Sequence, residues 1–323
     1  MILTTERLVL RPWEDRDAES LYEYAKDERV GPAAGWPPHT DVENSRQIIR
    51  TVFAAEETYA VCRKEDGRAI GCVSLMRGSR SRLKLPETEG ELGCWLGVPF
   101  WGQGIIPEAL RELIRHAFRD LELQTLWYGW FDGNEKSARV QGKLGFSYDR
   151  AEPDVWWPLV NETHTHHFSK LTREAWLNGF QYRRCTSAES QAALQLAWEV
   201  FLEYESPDYS PEGTETFRRF LRDENSLSRI EYAGAFDGKQ LIGMIGFRPS
   251  DRHICFFFVK GSYHRLGVGT RLFRAVLERY PGGPLTVNSS PYGLPFYKSL
   301  GFTEEDSEQT VHGIRFTPMI LHM

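Results

Sequence analysis

One pattern occurs twice in the chain and constrains its fold more than any other: an apolar strand, a Gly-rich turn and the start of an amphipathic helix. The first copy runs from Glu91 to Leu110. Its opening, Glu91-Leu92-Gly93-Cys94-Trp95-Leu96, alternates larger apolar with small or polar positions, as a strand does. Gly97, Gly102 and Gly104 follow, and Pro107, suited to a first helical position, opens a helix with Glu108 just behind it. In the second copy, residues 253–259 read as a buried strand and residues 263–269 as the turn. A helix follows over residues 270–280, with Leu272, Phe273, Val276 and Leu277 on one side. Glycines let the backbone approach a ligand closely, and the free N–H groups of a helix start point outward, so each turn is a seat for an anion. Neither turn is a Walker loop, since no Gly-Lys-Ser/Thr follows, and neither carries the third glycine of the dinucleotide fingerprint. The duplication implies two domains of one architecture.

Both copies resemble motif A of the GNAT superfamily, the Gcn5-related N-acetyltransferases, written Gln/Arg-x-x-Gly-x-Gly/Ala. The resemblance implies that backbone amides of the turn hold the pyrophosphate of acetyl-coenzyme A. In the first copy Trp101, Gly104 and Ile106 stand at the motif positions, and the form Trp-Gly-x-Gly-x-x-x-Glu-Ala is similar to the branch of the RimJ/RimL ribosomal-protein acetyltransferases. In the second, His264 replaces Gln/Arg while Gly267 and Gly269 fit. The coenzyme contacts so implied are Leu96, Val98, Trp101, Gly102, Gln103, Gly104, Ile105 and Ile106 in the first half. In the second they are Phe257, Val259, His264, Arg265, Leu266, Gly267, Val268 and Gly269.

Composition bounds the rest. A chain of 323 residues has room for two domains of ordinary size, and 41% hydrophobic with 26% charged residues is a globular balance. The formal net charge of -6 argues against a broad nucleic-acid footprint. Five scattered cysteines, with no Cys-x-x-Cys pair, point to a reducing cytoplasm and away from a disulfide framework or a zinc knuckle. Residues 1–7 start a charged strand pattern rather than a signal peptide, and no apolar run approaches a membrane span.

Along the chain, residues 5–10 read as a strand, with Asp15 or Asp17 able to cap the helix behind it; Thr-Glu-Arg-Leu-Val-Leu-Arg-Pro is a further similarity to RimJ/RimL-like chains. A second helix over 41–53, a hairpin over 59–76 and a basic, mobile connection over 78–88 lead to the first pattern. A strand over 126–131 and a short helix over 135–144 follow it, then closing strands over 155–157 and 163–169. The stretch Asn134, Ser137, Lys143, Leu144, Gly145, Phe146 is similar to the Asn-x-x-Ser…Lys-Leu-Gly-Phe of the RimJ/RimL branch, which implies that Asn134 and Ser137 face the pantetheine arm and thiol end of the coenzyme. A break at Asn178-Gly179 separates domains 1–178 and 179–323. The second begins with a strand at 182–184 and a helix over 187–204 and continues through a polar loop over 205–213 and a second helix. Strands over 232–236 and 241–247 meet at Asp237-Gly238-Lys239-Gln240, a hairpin signal. The fold class expected is α/β: two tandem GNAT-like domains, each a central mixed β-sheet flanked by α-helices.

Acyl transfer from a thioester to an amine needs a base or water path for the amine, a donor for the carbonyl oxygen and a proton for the leaving thiolate. Pro295-Phe296-Tyr297-Lys298-Ser299-Leu300-Gly301-Phe302 matches the family's Phe-Tyr-x-x-x-Gly-Phe, which implies Tyr297 as the general acid of the second domain and Asn288 as a coenzyme contact before it. The alternative for Tyr297 is a ring in the core. The first domain has Gln141 where that tyrosine would fall, and Ser137 is then the donor that the RimJ/RimL resemblance implies, against a plain surface serine. Glu91 is a proton relay from the amine or a solvated strand end, and Glu108 is a first-turn helix charge. His164 and His166 share a strand face, but no third ligand has metal spacing. The Trp156-Trp157 pair reads as packing. The expected activity is acetyl transfer from acetyl-coenzyme A to a primary amine, on a small molecule or a peptide N-terminus, with neither nucleic acid nor membrane as partner. Alternatives are a single active domain with a structural partner, or a coenzyme A-binding regulatory module. Tandem domains also allow an internal pseudo-dimer, or a homodimer.

Overall fold

The protein's structure, a computed structural model, describes residues 1–322. The chain divides into two compact units, Met1–Asn178 and Gly179–Met323. Each is a mixed sheet flanked by helices, as the α/β expectation required.

The first unit contains β1 (Leu3–Thr4), β2 (Leu8–Arg11), α1 (Ala18–Ala25), α2 (Val42–Thr51), β3 (Thr58–Arg63), β4 (Ala69–Met76), β5 (Glu89–Leu96), α3 (Ile105–Arg119), β6 (Thr125–Phe131), α4 (Glu135–Lys143), β7 (Ser147–Trp157), β8 (Glu162–Thr172) and α5 (Arg173–Asn178). Its strands lie in the order β1-β2-β3-β4-β5-β6-β8-β7. Neighbours are antiparallel except β5 and β6, whose parallel pairing requires a crossover, here α3. That helix buries Ile105, Ala109, Leu110, Leu113, Ile114, Ala117 and Phe118, a stripe at helical spacing. The β5–β6 register runs from Glu89↔Thr125 to Leu92↔Tyr128 and stops, so from Gly93 onward β5 has no strand on that side.

The second unit contains β9 (Gln181–Arg184), α6 (Ser187–Tyr204), α7 (Pro211–Phe220), α8 (Glu224–Leu227), β10 (Glu231–Asp237), β11 (Gln240–Arg248), β12 (His253–Val259), α9 (Val268–Arg279), β13 (Leu285–Ser289), α10 (Leu294–Ser299), β14 (Thr303–Glu304), β15 (Gln309–Val311) and β16 (Ile314–Leu321). The sheet order is β14-β16-β13-β12-β11-β10-β9, with β15 on β16. Thr186 and Glu189 form a capping box that starts α6, and Ala193, Leu196, Ala197, Val200 and Phe201 pack its buried side onto Phe256 and Phe258 of β12. Here too the parallel pair parts early: β12 meets β13 only at His253↔Thr286 and Ile254↔Val287.

Three local expectations are corrected. Helix α3 starts at Ile105, behind Gly104 in the left-handed conformation, so Pro107 sits third in the helix. A proline is tolerated there because first-turn N–H groups have no partner within the helix. The closing strands β7 and β8 are much longer than expected, since register shifts between Tyr148 and Arg150 and between Glu152 and Val155 break the alternation that would have revealed them. The basic connection before β5 is pinned rather than free: Ser81 is buried and its hydroxyl bonds Glu91 at 2.7 Å.

One buried ionic network fastens α3 to the sheet. His116 holds Glu57 through Nε2 at 3.1 Å and Asp120 through Nδ1 at 2.9 Å. Burial opposes the charged imidazolium, but the two carboxylates outweigh it and keep its pKa above the ordinary histidine value. Replacing His116 by Ala removes one partner from each carboxylate, leaving Glu57 to the Tyr59 hydroxyl and Asp120 to Arg115 and Arg119, and thermal unfolding should report a loss of about 1–3 kcal/mol. Because the folded-state pKa of His116 is raised, its contribution is full in acid and fades as pH rises through that pKa. The gap between wild type and variant should therefore be larger near about pH 6 than near about pH 9.

Candidate active sites

The two turns share one backbone path made with different residues. In the first unit Gly102 and Gly104 have φ of 77° and 74°; in the second, Arg265 and Gly267 have 63° and 75°. Gly104 and Gly267 cap α3 and α9, so the first amides of each helix face the turn's opening. A Cβ at Gly102 or Gly267 would meet nothing within 4 Å. The residues at the first motif position hold the turn shut: Trp101 Nε1 donates to Leu96 O at 2.8 Å, and His264 Nε2 to Val259 O at 2.7 Å. Each acceptor is the last residue of its strand, so an indole and an imidazole do the same work. The His264 Nδ1 lies 3.4 Å from the Tyr292 hydroxyl. Both ring nitrogens therefore face protein partners rather than a phosphate seat. Gly269 is small for a packing reason, since a Cβ there would come within 3.0 Å of Phe296, whereas Ile106 fills the matching place in the first unit.

In the second unit the turn opens into a cavity of about 920 Å³. Arg265, Gly267 and Val268 line one part of it, and Phe257, Val259, Asn288 and Tyr297 line the gap between β12 and β13. Tyr297 is buried, with Phe257, Phe296 and Phe302 around its ring. Burial, reinforced by the Glu205 charge, drives its pKa far above the ordinary phenol value, so it is a proton donor and never a phenolate at neutral pH. Glu205, the C-cap residue of α6, lines the same cavity. Burial pushes its carboxyl up to about 7, against the support of the Ser290 hydroxyl and with the help of nearby Asp208. A base poised near neutrality and an acid that stays protonated thus face one cleft.

In the first unit the corresponding gap opens past Leu92 and Tyr128. Cys94 Sγ and the Tyr128 hydroxyl lie 2.7 Å apart across it. Burial pushes the Cys94 thiol up to about 11 and the Tyr128 phenol further, so both keep their protons. The Ser137 hydroxyl supports Tyr128 and accepts from Gln141 at 3.4 Å. Asn134 caps α4: its Oδ1 accepts from the Ser137 N–H at 3.2 Å and its Nδ2 donates to Ala33 O at 3.3 Å. On the other face of β5, Glu91 is buried under Ser81 and the Arg82 N–H, and burial raises its pKa against both bonds. The Arg82 guanidinium sits 3.5 Å over the Trp157 ring, which packs edge-on to Phe131 at 4.5 Å. Glu108 faces none of this: it accepts from Thr5 Oγ1, the Arg7 N–H and Arg7 Nε at 2.5, 2.9 and 2.7 Å, tying the β1–β2 turn to α3. His164 bonds Glu162 at 2.8 Å and stacks on Phe131, while burial holds the neighbouring His166 down at about 4, a neutral ring. Among the described residues no group of three potential ligands could hold a metal ion.

Comparison with known proteins settles the family. Two family models, each described as an acetyltransferase (GNAT) domain, match residues 7–147 and 205–323. The chain belongs to the GNAT acetyltransferases. Among similar GNAT-type proteins, the "Putative ribosomal N-acetyltransferase YdaF" of Bacillus subtilis is 30% identical over 178 residues, covering 52% of this chain and 93% of that protein. The "Uncharacterized N-acetyltransferase p20" of Bacillus licheniformis is 27% identical over 177 residues, covering 53% of this chain and 97% of that protein. A solved GNAT-family acetyltransferase from Bacillus anthracis is 20% identical with a TM-score of 0.48, over 54% of this chain and 99% of that one. No helix among the described residues is long and apolar enough to cross a membrane.

Enzymes of this family use acetyl-coenzyme A, and the cavity's shape fits such a group: positive-φ residues with open space beside them, helix-start amides, and a strand edge without a partner. Two elements escaped the sequence. Glu205 lay in a stretch read as a polar loop, directly behind the helix over 187–204. Tyr128 and Cys94 sat in strands whose alternation gave no sign that their polar ends would meet across a gap.

Proposed function

We propose that both domains transfer an acetyl group from acetyl-coenzyme A to a primary amine. The observation that carries this is the cavity of the second domain, where the anion turn, the parted strands, Tyr297 and Glu205 share one wall system. In that domain Gly267, Val268 and Gly269 hold the pyrophosphate by backbone amides, Phe257, Val259 and Asn288 line the pantetheine path, and Arg265 adds charge at the mouth. In the first, Gly102 to Ile106 form the seat, with Lys136 stacked 3.6 Å over the Trp101 ring beside it. When bound, the coenzyme supplies an acetyl group activated as a thioester. Tyr297 then protonates the departing sulfur in the second domain. In the first, Ser137, backed by Tyr128, holds that place, and Glu91 accepts the amine proton. The Bacillus subtilis relative, named a putative ribosomal N-acetyltransferase, supports a ribosomal acceptor for the first domain.

The two seats are unequal. Pro107 removes one N–H from the first turn of α3, whereas Thr270 at the matching place in α9 keeps its own. Titration calorimetry of the full chain with coenzyme A should resolve two sites, the tighter in the second domain. A stoichiometry of one per chain would leave a single active domain beside a structural partner.

A further inference from the structure

We infer that the second domain's acceptor is a primary amine carried on an apolar, aromatic-sized group, its ammonium drawn to Glu205 and its tail held among Tyr209, Phe217, Phe220 and Phe316. This rests on the acetyl-transfer reading of the same cavity and names what enters from the acceptor side. Those four rings are half-buried and line the cavity, so each presents a face to it. Glu205 is the single acidic group among the described residues lining it, and no ion pair to it occurs among them. Of the basic groups there, Arg248 is already held by both oxygens of Asp251 at 2.7 Å, His253 bonds Thr286, His264 bonds Val259 O, Arg265 stands at the anion turn, and the exposed His312 completes the set. A lone carboxylate in an apolar chamber is an unmet demand for a cation. The wall beyond Glu205 is made by the rings of Tyr209, Phe217, Phe220 and Phe316, so the acceptor's other end is apolar and uncharged.

The groups facing Glu205 bear this out. Tyr209, Tyr292 and Tyr297 all feel its charge, and their phenols stay neutral because burial raises each. Asp208 adds like charge from the next turn. The Ser290 hydroxyl gives the carboxylate a hydrogen bond but no countercharge; an ammonium supplies both. Once bound, one ammonium proton passes to the Glu205 carboxylate, and the freed lone pair forms the C–N bond to the acetyl carbon as the C–S bond breaks. Tyr297 gives its proton to the sulfur and regains one from protonated Glu205. The second N–H proton leaves to solvent, and the products are the N-acetyl amide and the free thiol.

The test uses the full chain and reads binding separately from turnover. Calorimetry should show phenethylamine binding more tightly than ethylamine by about 10²-fold, from burial of the ring. Phenethyl alcohol, which keeps the ring but lacks the charge, should bind about tenfold or more below phenethylamine. Glu205→Gln should erase the advantage of the amine over the alcohol while leaving coenzyme A affinity unchanged, which also certifies the fold. Phe217→Ser should shrink the advantage of phenethylamine over ethylamine. In turnover, kcat/KM for phenethylamine should rise through about pH 7, the Glu205 step, and Glu205→Gln should remove that limb. Equal binding of ethylamine and phenethylamine, or binding indifferent to Glu205→Gln, overturns the inference. Glu205-dependent binding with no acetylation by wild type would instead sink the acetyl-transfer reading and leave the recognition intact. Acetylation of small polar amines with no affinity for phenethylamine sinks the inference alone.

Discussion

Tyr297→Phe should lower turnover by the second domain by about 10²-fold or more, the scale for losing a positioned general acid. The ring is enclosed by Phe257, Phe296 and Phe302, and the substitution keeps every carbon of it. Stability and coenzyme A affinity should therefore stay close to wild type. The hydroxyl is what changes, and its place is decided by α10, which brings Tyr297 to the gap where β12 and β13 have parted. Burial keeps that phenol protonated, so the proton is available whenever a thiolate begins to leave. The assay belongs in a full chain carrying Gly104→Glu, with the residual turnover of the Gly104→Glu, Tyr297→Phe double variant measured as the background of the first domain. Full activity with a substrate whose chemical step limits the rate would make Tyr297 a packing residue and return the protonation step to solvent.

Gly267→Glu should abolish coenzyme A binding by the second domain, a fall of about 10³-fold or more, because it sets a negative charge where a pyrophosphate belongs. The fold should survive. The residue's φ of 75° costs a non-glycine residue about 1–2 kcal/mol, but Arg265 two residues earlier already adopts φ of 63°, and a Cβ at 267 meets no neighbour within 4 Å. Calorimetry gives the affinity and circular dichroism the fold. Unchanged binding would reduce the 264–269 turn to a connection. In the first domain Gly104→Glu should act in the same direction, though its new side chain starts 3.8 Å from the Arg7 guanidinium, which offsets part of the charge.

Much of this architecture was legible because it rests on local rules. The strand–turn–helix pattern could be read from glycine placement and helical spacing, and α6 from the apolar spacing of Leu194, Ala197, Trp198 and Phe201. The start of α3 was misplaced because proline's preference for the first helical position competed with glycine's for a left-handed cap, and Gly104 took precedence. The length of β7 and β8 was hidden by two shifts of register, one around Pro153, that exchange the faces of the strand. The candidate sites were legible only where a motif carried them. Tyr297 could be singled out from its neighbours in sequence, but Glu205 reaches the same cavity from a helix end more than ninety residues upstream, and no local pattern encodes that meeting. The bonds from the Trp101 and His264 side chains to their strand ends were not legible either, since each spans five residues of irregular turn.

The early parting of the parallel strands has a consequence for the stability of the molecule as a whole. Residues 93–96 of β5 and 255–259 of β12 keep their neighbour on one side and lack a strand on the other. Each sheet is thus a fabric with an unsewn seam near its middle. A guest that carries amides of its own can run along that seam as a surrogate strand, contributing the ladder bonds that no stretch of this chain contributes. Such a guest tightens the fold by mass action, about 2.7 kcal/mol at a hundredfold excess over its dissociation constant. On the proposed function that guest is the coenzyme, and the resilience of each half of the molecule would then follow the supply of the thing it consumes.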